Sequence, residues 1–406
     1  MLSSLLSQLQ SYFSKYFIVG SFSPVLAFTF INGLTAYLLS DRWRAWVDPY
    51  ITDPSVARAV FVITSVTVAI TLAAYVLSSL STFLRRLLEG YWWEPMARLF
   101  IPAENMRRQR LIADKDGAAN TNADLAEAPQ WLKRLLDARQ GGKAAHPGVQ
   151  FTVPTDDTLE ASIKGLEGKL RKNEIVPAAA LSSAVDELEG RLNNHDVDKS
   201  LYLDRHQQRI NRLIGYATER AKARYVRLLN QLHASYGAED VAPSKMGNIA
   251  NTIQDYALRR YRCNLEIVWS NLQRVVQRDE KAQAALQEAK TQLDFLVACC
   301  WLTLLWSLIW TVVFAFIAKS RMGFLAAALG GPLLAYVWYR AAAEQYRSFA
   351  DVAMTTLDSF RFELLKEMRL AAPADVEGER YVWESIDLLT TYSEERNFRY
   401  EQPKQA

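Results

Sequence analysis

The residues best equipped for chemistry fall within 242–273, which reads APSKMGNIANTIQDYALRRYRCNLEIVWSNLQ. Arg259, Arg260 and Arg262 surround Tyr261, with Tyr256 about one helical turn before them and Trp269 about two turns after. Guanidinium forks bind carboxylates or phosphates through paired hydrogen bonds. Three uses fit this set. It can be a structural joint, in which Arg pairs with carboxylates of neighbouring helices and Trp269 fills a core pocket. It can be a pocket for an anionic ligand or a lipid headgroup, with Tyr256 and Tyr261 beside the Arg cluster. Catalysis is the third. Upstream, Pro243-Ser244 reads as the start of a helix with Ser244 as its cap. Asn248, able to donate and accept, joins the candidate residues, and Ile249, Ile253, Tyr256 and Ala257 would form one buried face.

Elsewhere the chain carries no P-loop, no G-x-G-x-x-G, no H-E-x-x-H, no C-x-x-C and no G-x-S-x-G. His146, His195, His206 and His233 never pair at i, i+4 and read as surface residues on linkers or polar helix faces. Cys263 stands alone and Cys299-Cys300 lie in an apolar run, so neither a disulfide framework nor a zinc pattern is indicated. The expectation is a protein without metal or cofactor that is not an enzyme. A net charge of +3 with both signs mixed in the polar segments argues against a nucleic-acid partner.

What positions these residues is dominated by grease. Apolar residues make up 50% of the 406, yet the mean hydropathy is −0.08, so very apolar segments offset very polar ones. Four uncharged apolar runs, 16–40, 59–84, 295–318 and 322–339, have the length needed to cross about 30 Å of hydrocarbon. The first is expected to be a span and not a signal peptide, since it is long and a second run follows. No run has an ionisable residue in its interior, which disfavours a coupled transporter and leaves room for a passive pore. Lys and Arg near the span ends favour a cytoplasmic side bearing both termini and the long middle segment. Arg85 and Arg86, followed by Trp92 and Trp93, read as membrane-interface anchors. Ser65, Ala69 and Ala73 recur at every fourth position, as do Ala327, Gly331 and Ala335. Small residues at that spacing let helices approach closely, either inside one four-helix unit or along a subunit–subunit or pore-lining face. Pro24 and Gly330-Gly331-Pro332 are expected to kink or thin their helices.

The fold expected is all-α and polytopic. A first transmembrane hairpin covers 1–84, and a juxtamembrane segment with flexible linkers covers 85–157. A helical, partly coiled-coil-like cytoplasmic domain covers 158–293, a second hairpin 294–340, and C-terminal helices with a polar tail 341–406. The linkers are read at 113–130 and 138–157 from their Ala, Asn, Asp, Gly and Pro content, with a short amphipathic helix between them. Leu159, Ile163, Leu166 and Leu170 pair with Leu181, Val185, Leu188 and Leu192 as a helical hairpin. A long stripe from Ile210 to Leu232 needs a partner face, which one chain cannot place inside the protomer or outside it.

Several short pieces carry a resemblance. They are Leu87-Leu88-Glu89-Gly90-Tyr91-Trp92, Pro243-Ser244-Lys245-Met246-Gly247-Asn248, and Arg260-Tyr261 followed by Trp269. Leu357-Asp358-Ser359-Phe360-Arg361 and the later Asp375-Val376-Glu377-Gly378-Glu379-Arg380 complete the set. In this order relative to the spans, the chain resembles a group of uncharacterised bacterial four-span membrane proteins. Their R-Y-G-x-D pattern is altered here, where Arg262 and Asn264 stand for the Gly and the acid. The resemblance implies a topology and no activity. The functional expectation is an oligomeric scaffold or interaction protein of the inner membrane, contacting lipid, copies of itself and a cytoplasmic protein. The alternative is an oligomeric channel or pore-forming effector gated by the cytoplasmic domain.

Overall fold

A computed structural model describes residues 14–52, 56–90, 94–140, 158–172, 174, 176–193, 199–237, 240–317, 320–393 and 400. The fold is all-α among these residues, and four helices are long and apolar enough to cross a membrane. They are α1 (Lys15–Leu39), α3 (Val56–Glu89), α11 (Glu280–Phe316) and α12 (Arg321–Glu367). Their apolar side chains are largely exposed, with Phe61 at 72% and Leu72 at 63% on α3. In water such surfaces would associate, whereas against acyl chains they are at home.

The chain divides into two compact units, Met106–His233 and the remainder. The smaller holds α5 (Ala128–Gln140), α6 (Thr158–Arg171), α7 (Ala178–Asn193) and most of α8 (Lys199–Tyr236). Leu159, Ile163, Leu181, Val185 and Leu188 are fully or almost fully buried, so the paired stripes do close on each other. Ile210, Leu213, Ile214 and Ala217 of α8 complete that core, giving this part of the long stripe its partner within the chain. Arg209 clamps the surface, donating to both oxygens of Glu167 at 2.9 Å and to Glu160 at 2.7 Å. These bonds hold both carboxyls below their ordinary range.

Two sequence expectations are corrected here. The stretch 113–130 is not a linker: α4 (Glu94–Leu125) and the start of α5 run through most of it. Ala, Asn and Asp give no amphipathic stripe, yet Ala has the highest helix propensity, and Ala118 and Leu125 find buried sites. Of the second linker, 138–157, residues 138–140 end α5 and 141–157 lie outside the described residues. His206 is not a surface residue but fully buried, its Nδ1 3.8 Å from Glu160. It lies one turn before Ile210 and so falls on the apolar stripe.

In the larger unit, α11 packs along α12 and also touches α1 and α3. Ala327, Gly331 and Ala335 are buried in that packing. The Ser307 hydroxyl donates to the Ala327 carbonyl at 2.7 Å, and a Cβ on Gly331 would lie 2.4 Å from that of Ser307. Ser65, Ala69 and Ala73 are exposed instead, because α3 turns Ile70 and Ala74 inward. Pro24 and Pro332 each follow a π-helical turn, Ile18–Phe22 and Ala326–Gly330. A proline denies its i−4 carbonyl a donor and crowds it, and a widened turn at that carbonyl relieves both. Between α1 and α3, α2 (Asp41–Thr52) begins with Arg44 donating to the carbonyls of Tyr37 and Leu38, the orphan acceptors of α1's last turn.

Trp310 Nε1 donates to Asn32 Oδ1 at 2.8 Å, tying α11 to α1 within their apolar lengths. A double-mutant cycle of Asn32→Leu and Trp310→Phe should return a coupling of about 0.5–1.5 kcal/mol. Strictly additive effects on unfolding in mixed micelles would show that the bond contributes nothing.

Candidate functional site

The stretch 242–273 is assembled on the charged ends of the long apolar helices α3 and α12. α9 (Lys245–Tyr261) starts at Ser244, whose extended backbone and side chain make the expected cap. The Ser244 hydroxyl accepts from Gly247 N at 3.0 Å and donates to the carbonyl of Glu89, last residue of α3, at 2.9 Å. One hydroxyl therefore serves an orphan donor of one helix and an orphan acceptor of another. The approach is so close that a Cβ on Gly247 would lie 2.3 Å from the Glu89 oxygen. The helix α12 joins in: Lys245 N donates to Tyr339 Oη at 3.1 Å, and Lys245 Nζ lies 2.6 Å from Glu344.

Asn248, 2% exposed, ties the loop before the helix. Its Oδ1 accepts from Ala242 N at 2.7 Å, and its amide donates to the Ala242 carbonyl and to Glu104. Tyr236 Oη also donates to Glu104, at 2.7 Å, so this carboxylate, buried to 4% exposure, is held by two donors. Glu89 is the second such carboxylate, accepting from Tyr346 Oη at 2.7 Å.

At its far end α9 closes on Arg262, left-handed at φ 57°, whose N–H bonds the carbonyl of Leu258 at 2.8 Å. Glycine is the residue that takes this conformation without strain. Asn264 then caps α10 (Leu265–Val276), accepting from Glu266 N at 3.2 Å as an aspartate would. Tyr256 and Tyr261 donate to the two oxygens of Asp358 at 2.7 and 2.8 Å. Arg260 lies 3.6 Å from the same carboxylate, with its guanidinium 5.5 Å from each ring centre. Arg361 stacks over Tyr261 and donates to Glu379, on α13 (Val376–Tyr392), at 2.8 Å. Arg262 pairs with Glu384 at 2.9 Å and Arg259 with Asp255 at 2.8 Å. All three cations of the cluster thus stand beside carboxylates.

Trp269 is placed elsewhere. Half-buried, it meets Phe349 edge to face with ring centres 6.4 Å apart, and lines a cleft of about 1000 Å³ between α3, α9, α10, α11 and α12. Arg85 and Arg86 line the same cleft, joined by Lys290, Glu89 and Glu266. The structure therefore brings Trp269 to Arg85 and Arg86 and not to Arg260, whose cluster faces α12 and α13. Trp92 and Trp93 lie outside the described residues. Sequence reasoning missed Glu89, Glu104 and Asp358. Two of these sit inside the quoted L-L-E-G-Y-W and L-D-S-F-R segments, and that was the available signal. Among known proteins, no family model, no curated protein and no solved structure matches the chain.

Gly247→Ala pushes a methyl into a backbone carbonyl and should destabilise by roughly 1–3 kcal/mol. Gly165→Ala, with open space around it, should not. Equal unfolding midpoints would mean that the contact is slack. Burial, followed by the bond to Asp358, raises both phenols, and Tyr261 is pushed up to about 12. A folded value above the unfolded one stabilises below the ordinary tyrosine value of 10.0, and that contribution disappears as pH climbs through about 12. Tyr261→Phe should flatten the loss of stability over that window. An unchanged alkaline slope would show that this phenol does not govern it.

Proposed function

We propose that the chain is an oligomeric integral membrane protein of the inner membrane that acts as an interaction or scaffold protein. Its four spans form two hairpins with both termini cytoplasmic, and its helical domain senses a cytoplasmic partner or ligand. The observation that carries this reading is the joint itself. The first turn of α9 is built on the last residue of α3 and on the flank of α12, so a displacement of α9 bears directly on two spans. Arg85, Arg86, Lys290, Arg340 and Arg347, all at the same charged ends, support the orientation. Burial pushes the Cys263 thiol up to about 12, far from thiolate chemistry.

A second reading, an oligomeric channel or pore-forming effector gated by the helical domain, is favoured by one observation. The Ser65, Ala69 and Ala73 face of α3 is exposed among the described residues, whereas Ala327, Gly331 and Ala335 are consumed by packing against α11. A pore axis, or any contact between copies, would then run along α3 and not along α12.

Light scattering of the detergent-purified protein should give a fixed multiple of 46.1 kDa. Ala69→Leu should lower that multiple while leaving helix content intact. A monomer across several detergents would sink the oligomeric reading. Ion flux from liposomes carrying the wild type would favour the pore, and its absence with an intact oligomer would favour the scaffold.

A further inference from the structure

The cleft beside Trp269 has more cation than its own carboxylates use. Arg85 lies 3.5 Å from Glu89 Oε1 through a buried Nε that makes no hydrogen bond. Glu89 already accepts the Tyr346 hydroxyl. Arg86 and Glu266 approach only to 3.8 Å, and both side chains are more than half exposed. Lys290 has no carboxylate within 4.0 Å among the described residues. On its own helix Asp294, one turn on, interacts electrostatically with both Lys290 and Arg85. On the lining itself Arg85, Arg86 and Lys290 meet two carboxylates, Glu89 and Glu266, while Asp294, the third carboxylate near them, does not line the cleft. The apolar part of the lining is Trp269, Phe349, Leu265 and Ile253, interspersed with the polar Asn251, Gln254, Ser270 and Gln273.

The depth of the cleft narrows the ligand. Arg85 follows directly on the uncharged run of α3, and Lys290 precedes that of α11 by less than two turns. In a bilayer those positions meet the phosphate layer, where Arg and Lys settle. A volume of about 1000 Å³ holds a phosphoglycerol unit and the first carbons of its chains.

We propose that this cleft binds a phosphate-ester anion, with Arg85, Arg86 and Lys290 taking the phosphate and Trp269 and Phe349 taking the attached carbon skeleton. The inference rests on the reading that the charged ends of these spans lie at a membrane surface. Two sources share the chemistry, an anionic phospholipid and a soluble phosphate ester.

Native mass spectrometry of the full-length protein titrated with phosphatidylglycerol and with phosphatidylcholine tests it. Phosphatidylglycerol should be retained about tenfold more tightly, and Lys290→Gln should remove most of that preference, as expected for one charge-assisted bond. Arg86→Gln, at an exposed side chain, should act in the same direction and stands in if the first variant folds poorly. Displacement of the bound lipid by glycerol phosphate would identify the soluble ester as sufficient. Selectivity without displacement would identify the lipid. Equal retention of the two lipids by the wild type, or wild-type selectivity in both variants, would overturn the proposal. A monomeric protein or silent liposomes would sink the oligomer and pore readings without altering this result.

Discussion

The larger unit depends on the contact in which Gly247 and Ser244 meet the last carbonyl of α3. Helix ends leave four donors or acceptors without partners, and burying such an end unpaired is costly. Here the end of one helix and the start of another satisfy each other through a single hydroxyl. Only a residue without Cβ at position 247 allows the approach. Once α9 starts there, its register is set, and Met246, Ile249, Ile253 and Ala257 face the core shared with α10, α11, α12 and α13. The same register carries Tyr256 and Tyr261 to Asp358 at the opposite end.

Polar burial follows from that placement. Among the buried carboxylates of the described residues, Glu89 and Glu104 are each held by a tyrosine hydroxyl and Glu379 by Arg361. A half-satisfied carboxylate would destabilise such a core, so these bonds specify geometry more than they add stability. Asn248 and Tyr346 are therefore fixed by what they accept and donate. Neither has spare capacity for a ligand comparable with that of the exposed cations of the cleft.

Much of the secondary structure was legible, for a physical reason. Uncharged runs of membrane length and stripes at helical spacing are local signals, and Ser244 before Lys245 is a local cap. The stretch 113–130 has the composition of a linker and the conformation of a helix. Asn and Asp favour turns in general, but nothing in that stretch prevents a helix, and buried sites for Ala118 and Leu125 favour one. The partners of the Arg cluster were not legible at all. Asp358 lies 97 residues beyond Tyr261 and Glu384 lies 122 beyond Arg262, and no local pattern encodes such separations. The two small-residue stripes make the same point. They share one spacing, yet one is closed by Ser307 and the other stays open, because helix rotation and not residue size decides which face turns inward.

Counting cations on a sequence therefore ranks binding sites poorly, and counting their carboxylates corrects the ranking. Arg259, Arg260 and Arg262 form the densest basic cluster of the stretch, yet a ligand phosphate there would have to displace Asp255, Asp358 and Glu384. Exposed ion pairs contribute little stability each, but a competing anion gains only the difference between two similar interactions. Arg85 and Lys290 are less conspicuous in sequence, being separated by more than half the chain. In the fold they share one cleft with fewer ideal partners than charges, and an anion entering it gains hydrogen bonds that the protein does not already make. The balance of charge against partners, which only the folded chain reveals, is what moves the anion-binding role from the arginine cluster to the cleft beside Trp269.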